Sequence, residues 1–387
     1  MQTWLGTILF FIIVLSLWTG IHVYLYRRIV WTFNTGPGVR LALKIGLPFI
    51  GSLYFIGRVV QAKMDHDLGT IIIWPGAVYL ALMALFLSQL LVYDIGFALP
   101  SWVLARRKIA GSLERVRRVG RWLMPLMAIV SVAACVHGTI EALDGPTVKR
   151  VEIRMRGLSP RLDGFRVLQI SDLHVGGLVG RSYMDKVLDL AQPLESDLVL
   201  VTGDVSDERN GGDGTAIERI AAIPSRFGIL SVTGNHEYYI GGDATVANYR
   251  RHGLPVLRQQ HVMKAGGIVV AGVDDPIFLG GPTHSKEAVL KALKGIPDGL
   301  PVILMSHQPL AVQEAADAGV DLMLCGHTHG GQVPPFHLLT KLIYGYLTGR
   351  YQVGEMTLYV SNGAGFWGPA TRVFADPEIT LFTLKSM

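Results

Sequence analysis

Two histidines separated by one residue stand in the glycine-rich segment CGHTHGGQ, at residues 325–332. In an extended segment the side chains of residues i and i+2 lie on the same side of the backbone, so His327 and His329 can face one cavity. Imidazole is the commonest metal ligand among side chains. The spacing therefore predicts a metal site, provided that other segments of the chain supply further ligands.

Polar side chains also follow four other apolar segments that are typical of buried strands. The segments SDLH, TGDVSD, TGNHE and SHQ each follow such a run, as GHTH does. Ligands of open α/β sheets bind beyond the carboxyl ends of the strands, so we expect these five segments to meet at one site. The candidate metal ligands are Asp172, His174, Asp204, Asn235, His307, His327 and His329.

These seven groups are too many for one four-coordinate ion, and they suit two ions that share the carboxylate of Asp204. Nitrogen and oxygen ligands without a thiolate favour Mn, Fe, Zn or Co over Mg or Ca. Cys325 is expected to point into the core from its strand, so we do not count it as a ligand. The sequence therefore predicts two divalent metal ions as cofactors.

The surrounding chain reads as an α/β domain. From about residue 148 onward, predicted strands alternate with predicted helices, as in α/β proteins. Several consecutive strands near the end of the chain predict a second sheet packed on the first. We therefore assign residues 148–387 to one globular domain.

The first part of the chain has a different composition. The whole protein is 50% hydrophobic and 17% charged, with a mean hydropathy of +0.38. Four apolar runs in residues 1–143 each approach the roughly 20 residues that cross a bilayer. They predict an all-α transmembrane region with four helices, at about 3–26, 41–60, 69–93 and 122–142.

Basic residues between these runs predict the orientation. The segment 106–121 carries seven Lys or Arg and one Glu, and the first connection carries Arg27, Arg28 and Arg40. Positive loops face the cytoplasm, so the globular domain is expected outside the cytoplasm on a multi-pass protein of the inner membrane. The polar residues near the predicted helix ends are expected to reach the membrane surface by snorkelling: His22, Asp94, His137 and Glu141.

The order DLH, GDVSD, GNHE, SHQ and GHTH resembles the five motifs of the calcineurin-like metallophosphoesterases over residues 165–384, and in particular a membrane-associated bacterial branch of that family. The resemblance implies a two-sheet αββα domain. It also implies a first metal ion on Asp172, His174, Asp204 and His329. A second ion is implied on Asp204, Asn235, His307 and His327.

The same resemblance implies a reaction. Two ions about 3.5–4 Å apart activate a water for attack on phosphorus and bind the phosphoryl oxygens. His236 follows the ligand Asn235 and is the candidate general acid for the leaving oxygen. Asp207 is the candidate partner that orients His236, and Glu237 is expected to support the loop.

The expected partners are the lipid bilayer and a phosphate-containing substrate. An anchored site near lipid head groups favours a lipid-linked phosphate ester or diphosphate. The apolar segment 336–351 has two interpretations, a bilayer surface that guides a lipid tail or ordinary core. Arg372 is expected at the rim, where it would contact phosphate. No basic tail or aromatic–basic interleaving indicates a nucleic-acid partner.

Three alternatives remain open from the sequence. The first is a cytoplasm-facing pyrophosphatase that acts on a nucleotide–diphosphate lipid, as in lipid A synthesis. The second is a membrane sensor or assembly factor that binds metal without turnover. The third and weakest is a transporter with a regulatory phosphoesterase domain, against which the lack of paired mid-span charges counts.

Overall fold

The computed structural model describes residues 2–106 and 111–387, except for the side chains of residues 2–7, 10, 11, 104, 105 and 210. The chain divides into two compact units, Met1–Val136 and His137–Met387. The domain limits expected from the sequence, 1–143 and 148–387, stay a prediction.

The first unit is helical. Its helices are α1 (Gln2–Phe33), α2 (Pro37–Lys63), α3 (His66–Tyr93), α4 (Leu99–Arg106) and the first part of α5 (Ser112–Asp144). A π-helical turn, Asp94–Ala98, joins α3 to α4. α3 continues through Pro75, and α5 begins inside the segment 106–121 that the sequence suggested as a loop.

Within the described residues, three stretches are long and apolar enough to cross a membrane: Pro37–Lys63, His66–Val103 and Ser112–Asp144. They contain the second, third and fourth predicted spans. The first predicted span, 3–26, lies in α1, and several of its side chains fall outside the described set.

Polar side chains in the first unit pair with one another, so the snorkelling expected for His22 and Asp94 is wrong. The Asp94 carboxylate accepts hydrogen bonds from Arg28 at 2.7 Å and from the Tyr24 hydroxyl at 2.7 Å. His22 is buried, with Nε2 2.9 Å from the Tyr79 hydroxyl. Ionisable groups among apolar helices are costly unless they are paired, and the pairing satisfies that demand.

The second unit contains two sheets. The first has the strand order β1-β11-β2-β3-β4 and the second has the order β5-β6-β7-β8-β10-β9. Their bounds are β1 (Thr147–Met155), β2 (Arg166–Ile170), β3 (Leu198–Val201), β4 (Ile229–Ser231), β5 (Gln260–Lys264), β6 (Ile268–Gly272), β7 (Val302–Met305), β8 (Leu322–Cys325), β9 (Gly349–Val353), β10 (Met356–Val360) and β11 (Glu378–Ser386).

The sheets pack on each other through buried aliphatic side chains. Val167 and Leu200 of the first sheet share one core cluster with Ile303 and Leu324 of the second. A second cluster covers the outer face of the second sheet with side chains of α10 and α11. The remaining helices of this unit are α6 (Arg181–Ala191), α7 (Thr215–Ala221), α8 (Asn235–Tyr239), α9 (Asp243–Arg251), α10 (Ser285–Leu293), α11 (Val312–Asp317) and α12 (Phe336–Tyr344). The predicted α/β two-sheet fold, preceded in the sequence by a helical region, is confirmed.

The strands that lead to the site are short and buried. β3 reads Leu-Val-Leu-Val with every residue buried, and it pairs in parallel with β2 and β4. Continuous apolar runs are typical of central parallel strands, which are covered on both faces. Because these strands run parallel, their polar C-terminal turns lie side by side.

Candidate metal centre

The predicted ligands follow five strands that belong to both sheets. Asp172 and His174 follow β2, Asp204 follows β3 and Asn235 follows β4, all in the first sheet. His307 follows β7, and His327 and His329 follow β8, in the second sheet. The site therefore lies where the strand ends of two packed sheets meet, rather than at the edge of a single sheet.

The turns that carry these residues have an unusual backbone. Five of the seven candidates have positive φ, at 54° for Asp172, 51° for His174, 51° for Asp204, 70° for His327 and 49° for His329. Non-glycine residues seldom adopt this left-handed region. Such conformations cluster at functional sites, because the surrounding structure must hold them there.

One glycine is required by close packing in these turns. A Cβ atom at Gly234 would collide with Oδ1 of Asp204 and with the Asp204 backbone nitrogen. The residue before Asn235 must therefore lack a side chain so that the turns after β3 and β4 can touch.

The side chains form three overlapping groups whose ligand atoms lie within 4.8 Å of one another. These are Asp172 with His174 and His329, Asp204 with His307 and His327, and His174 with Asp204 and His236. In the first group, Nε2 of His174 and Nε2 of His329 are 3.1 Å apart. In the second, Nε2 of His307 lies 3.1 Å from Oδ2 of Asp204. Asp204 belongs to two of the three groups, and its Oδ2 lies 3.7 Å from Nε2 of His174 as well as 3.1 Å from that of His307.

Two observations fit these residues to metal ions. Asp172 and Asp204 are 0% and 2% exposed, and among the described residues neither carboxylate pairs with a lysine or arginine. Buried charges need a compensating charge. In addition, Oδ1 of Asn235 is buried without a hydrogen-bond partner among the described residues. A cation beside these oxygens would satisfy both.

Each candidate histidine directs one ring nitrogen at the group and has the other held by a neighbour. Nδ1 of His307 lies 2.7 Å from the Thr202 carbonyl oxygen, to which it can donate. For the others, the neighbours are Asp207 at 2.9 Å from Nδ1 of His174, Arg372 at 2.9 Å from Nδ1 of His329, and the Tyr344 hydroxyl at 2.6 Å from Nε2 of His327. A carboxylate, a carbonyl oxygen and a hydroxyl can accept an imidazole N–H, and such partners orient metal-binding imidazoles. The Arg372 guanidinium can only donate, so Nδ1 of His329 accepts that hydrogen bond.

The two histidines of the GHTH segment are held neutral. Burial and the neighbouring His307 lower the pKa of His327 to about 3. Burial and the guanidinium of Arg372 lower the pKa of His329 well below its ordinary value. A neutral imidazole is the form that binds metal, so this environment suits ligands.

Glu237 supports the turn that carries Asp204. Its carboxylate is completely buried and accepts the backbone N–H groups of Asp204 at 3.0 Å, Val205 at 2.8 Å and Gly234 at 2.6 Å. The Tyr249 hydroxyl donates to it at 3.0 Å. These bonds fix the backbone of two neighbouring turns at once.

His236, the candidate general acid, lies 2.7 Å from Asp207 through its Nδ1. Burial alone would lower the pKa of His236, but the carboxylates of Asp204 and Asp207 outweigh it and raise that pKa to about 9. The imidazole is therefore protonated at neutral pH, and among the described residues its Nε2 has no hydrogen-bond partner. The structure also places His236 in a ligand group with His174 and Asp204.

Arg372 lies elsewhere than the sequence suggested. It is 1% exposed and donates to the carbonyl oxygens of Ala375 and Asn362, each at 2.9 Å, so the expected phosphate contact at the rim is wrong. Its large side chain fills the space behind His329. Hydrogen bonds to carbonyl oxygens offset the cost of removing its charge from solvent.

Sequence reasoning missed Asp275, which follows β6 in the second sheet. Its side chain is buried and accepts a hydrogen bond from Nε2 of Gln308, the neighbour of His307, at 2.8 Å. Burial raises the pKa of Asp275 to about 6. The segment GVDDP ends a strand with polar residues, as the five other segments do, and that pattern was sufficient to find it.

The chain is similar to known metallophosphoesterases. The calcineurin-like phosphoesterase family matches residues 165–331. A bovine transmembrane protein with metallophosphoesterase domain is 32% identical over 324 residues, which cover 79% of this chain and 71% of that protein. An uncharacterized metallophosphoesterase of Campylobacter jejuni is 29% identical over 98% of each chain. A dimetal phosphatase from Danio rerio aligns with a TM-score of 0.35 and 13% identity, covering 52% of this chain and 88% of that one.

The fold and the site define a metallophosphoesterase. This chain belongs to the calcineurin-like phosphoesterase family. It is a metal-dependent hydrolase of phosphoester bonds.

Proposed function

We propose that the protein hydrolyses a lipid-linked phosphate ester or diphosphate at a centre of two divalent ions. Asp172, His174, Asp204 and His329 would hold the first ion. The second would be held by Asp204, Asn235, His307 and His327. The observation that carries this proposal is the convergence of six of these side chains, all but Asn235, in three overlapping groups, two of which contain Asp204.

When bound, such a pair of ions activates a water and stabilises charge on the phosphoryl oxygens. The residues of the chain do the rest. The water gives one proton to solvent as its oxygen bonds to phosphorus, the bond from phosphorus to the leaving oxygen breaks, and the leaving oxygen takes a proton from His236. Asp207 holds Nδ1 of His236 at 2.7 Å, which orients the ring and stabilises its charged form.

The nature of the ions follows from the donors. The candidate set contains four imidazoles, two carboxylates and one amide oxygen. Imidazole suits Mn, Fe, Zn or Co better than Mg or Ca. Cys325 is not counted as a ligand, because it is fully buried in β8 with its thiol 3.7 Å from the Gln308 carbonyl oxygen. We therefore propose that both native ions are transition metals from this set, either the same metal or two different ones.

The lipid-linked substrate is supported by the helices that precede the catalytic domain in the sequence. The same chain carries at least three apolar helices of membrane-spanning length. We propose that they, together with α1, anchor a multi-pass protein of the inner membrane. The basic residues at 27, 28 and 40 and in 106–121 favour a catalytic domain outside the cytoplasm. A reporter that works only in the cytoplasm can be fused after residue 387. If that reporter is active, this orientation is contradicted.

The proposal is tested with the full-length protein in detergent and in bilayers. Hydrolysis of phospholipids, lipid phosphates, lipid diphosphates and soluble diesters is compared with Mn, Zn, Co and Mg, with an EDTA control. We expect metal-dependent release of product and a preference for lipid substrates. Activity on soluble diesters without activity on any lipid phosphate would contradict the substrate class, and no activity with any metal would favour the non-catalytic alternative.

A further inference from the structure

Helix α12 leaves large apolar side chains exposed. None of its nine residues is buried, whereas α10, of equal length, buries Ser285, Ala288, Val289 and Ala292. The exposed fractions in α12 are 50% for Phe336, 74% for Leu338, 48% for Leu339, 83% for Leu342 and 71% for Ile343. A helix of this composition is usually covered by something, because exposed apolar patches mark interaction surfaces.

A neighbouring loop extends the same surface. Trp367 is 53% exposed, and its backbone N–H donates to Oε1 of Gln332 at 3.2 Å. Nε2 of Gln332 donates in turn to the carbonyl oxygens of Trp367 and Pro369. Gln332 precedes α12 by four residues, so it ties the loop to the start of the helix. The five exposed side chains of α12 and Trp367 are called the apolar rim below.

The apolar rim adjoins the metal centre at two points. Tyr344, the last residue of α12, has its hydroxyl 2.6 Å from Nε2 of His327. The ring of Trp367 lies 6.0 Å from the ring of His236. An apolar group bound at the rim would thus lie next to the residues that act on phosphate.

We infer that the apolar rim rests in the interfacial layer of a lipid bilayer and presents the metal centre to lipid head groups. The same chain carries apolar helices of membrane-spanning length, which favours a bilayer as the occupant. Residues 336–351 contain Lys341 and Arg350 and no acidic residue, which complements anionic head groups. Trp and Tyr beside aliphatic residues are typical of side chains at this layer. For the substrate, the inference rests on the proposed function.

Contact with lipid is measured on the full chain. Leu342→Cys is labelled with a polarity-sensitive fluorophore and reconstituted in anionic vesicles, with or without lipids that carry a spin label high on the acyl chain. The native cysteines Cys135 and Cys325 are 4% and 0% exposed, so labelling is confined to the new thiol. Leu290→Cys is the matched control, since Leu290 is 48% exposed on α10.

We expect spin-labelled lipid to quench the fluorophore at residue 342 several-fold more than the one at residue 290. Equal quenching at the two positions overturns the inference. A fluorophore at residue 342 that reports an apolar environment but is not quenched by lipid also overturns it, because a protein partner or a second copy then covers α12.

Presentation of substrate is measured by a ratio of activities. The double variant Leu338→Gln, Leu342→Gln removes the two most exposed leucines of α12 without disturbing a packed core. We expect hydrolysis of a lipid phosphate in vesicles to fall about tenfold relative to hydrolysis of a soluble phosphodiester. Leu290→Gln should leave that ratio unchanged. An unchanged ratio in the double variant overturns the presentation of lipid substrate.

The two measurements separate this inference from the proposed function. If the wild-type protein hydrolyses no phosphoester with any metal, the proposed function fails, yet quenching still decides whether α12 lies in lipid. If hydrolysis of the soluble diester is metal-dependent but quenching is equal at the two sites, the hydrolase activity is supported and the contact of the apolar rim with lipid is contradicted.

Discussion

Oδ1 of Asp207 lies 2.7 Å from Nδ1 of His236 and 2.9 Å from Nδ1 of His174. Burial would raise the pKa of Asp207, but the two imidazoles outweigh it and hold that pKa well below its usual range. The carboxylate is therefore ionised at neutral pH. One anion orients both the candidate general acid and a candidate metal ligand.

Asp207→Asn is therefore expected to act on both functions. With saturating metal, kcat should fall by about 10²-fold, because the amide stabilises protonated His236 less well. Metal affinity should fall about tenfold, since His174 loses its orienting anion. Turnover at several metal concentrations separates the two effects. Asp189→Asn, at an exposed position of α6, is the control, and wild-type values for both quantities in Asp207→Asn would contradict the shared role.

Asp204→Ala and His236→Ala should differ in what they lose. Asp204 stands between two ligand groups, so its removal is expected to abolish both bound metal and activity. His236→Ala should retain metal close to the wild-type content while activity falls by about 10²-fold or more. Elemental analysis of the purified proteins beside their rates checks this. Loss of metal from His236→Ala would show that His236 is a ligand instead of the general acid.

The sequence was sufficient to locate the candidate ligands because they follow apolar strands. Continuous apolar runs located β3, β7 and β8, and the packing of the two sheets brings their polar turns together. Edge strands β5 and β9 were missed. All their residues are exposed or half-buried, so they contain no buried apolar run that could have marked them.

The partners of the ligands were harder to predict. Arg372 reaches His329 across 43 residues of sequence, and Tyr344 reaches His327 from the end of α12. Neither contact follows from local spacing, since each depends on how a loop or helix packs over the strand ends. From sequence alone, an arginine in a glycine-rich segment is predicted to be exposed, because the carbonyl oxygens that could bind it in the interior are not known.

Tyr344→Phe removes a hydroxyl that holds a candidate ligand. Because the second ring nitrogen of His327 then lacks its partner, we expect metal affinity to fall about tenfold, with activity recovered by excess metal. Tyr346→Phe is the matched control, since the Tyr346 ring packs on Tyr351 and its hydroxyl has no hydrogen bond to a described residue. Metal titrations of activity and direct binding would measure the change. An unaltered affinity in Tyr344→Phe would contradict the orienting role.

Asp275 predicts a dependence of stability on pH. Burial raises its pKa from 3.8 to about 6, so the folded state binds the proton more tightly than the unfolded chain does. The contribution of Asp275 to the free energy of unfolding should therefore decrease as pH rises from about 4 to about 6, by ~1–3 kcal/mol, and stay level above that. Asp275→Asn removes the charge and can keep the hydrogen bond to Gln308, whose amide can turn.

The Asn variant should consequently be more stable than wild type by ~1–3 kcal/mol at pH 7.5 and indistinguishable from it near pH 4. Thermal unfolding of the metal-free protein at both pH values, in EDTA, measures the difference. Asp298→Asn, where the native side chain is exposed, controls for the loss of a negative charge on the surface. A variant less stable than wild type at pH 7.5 would mean that the Asp275 carboxylate is ionised and favourably paired in the folded protein. The Asp275 carboxylate would then stabilise the folded protein as part of the charge balance of the metal centre, instead of destabilising it.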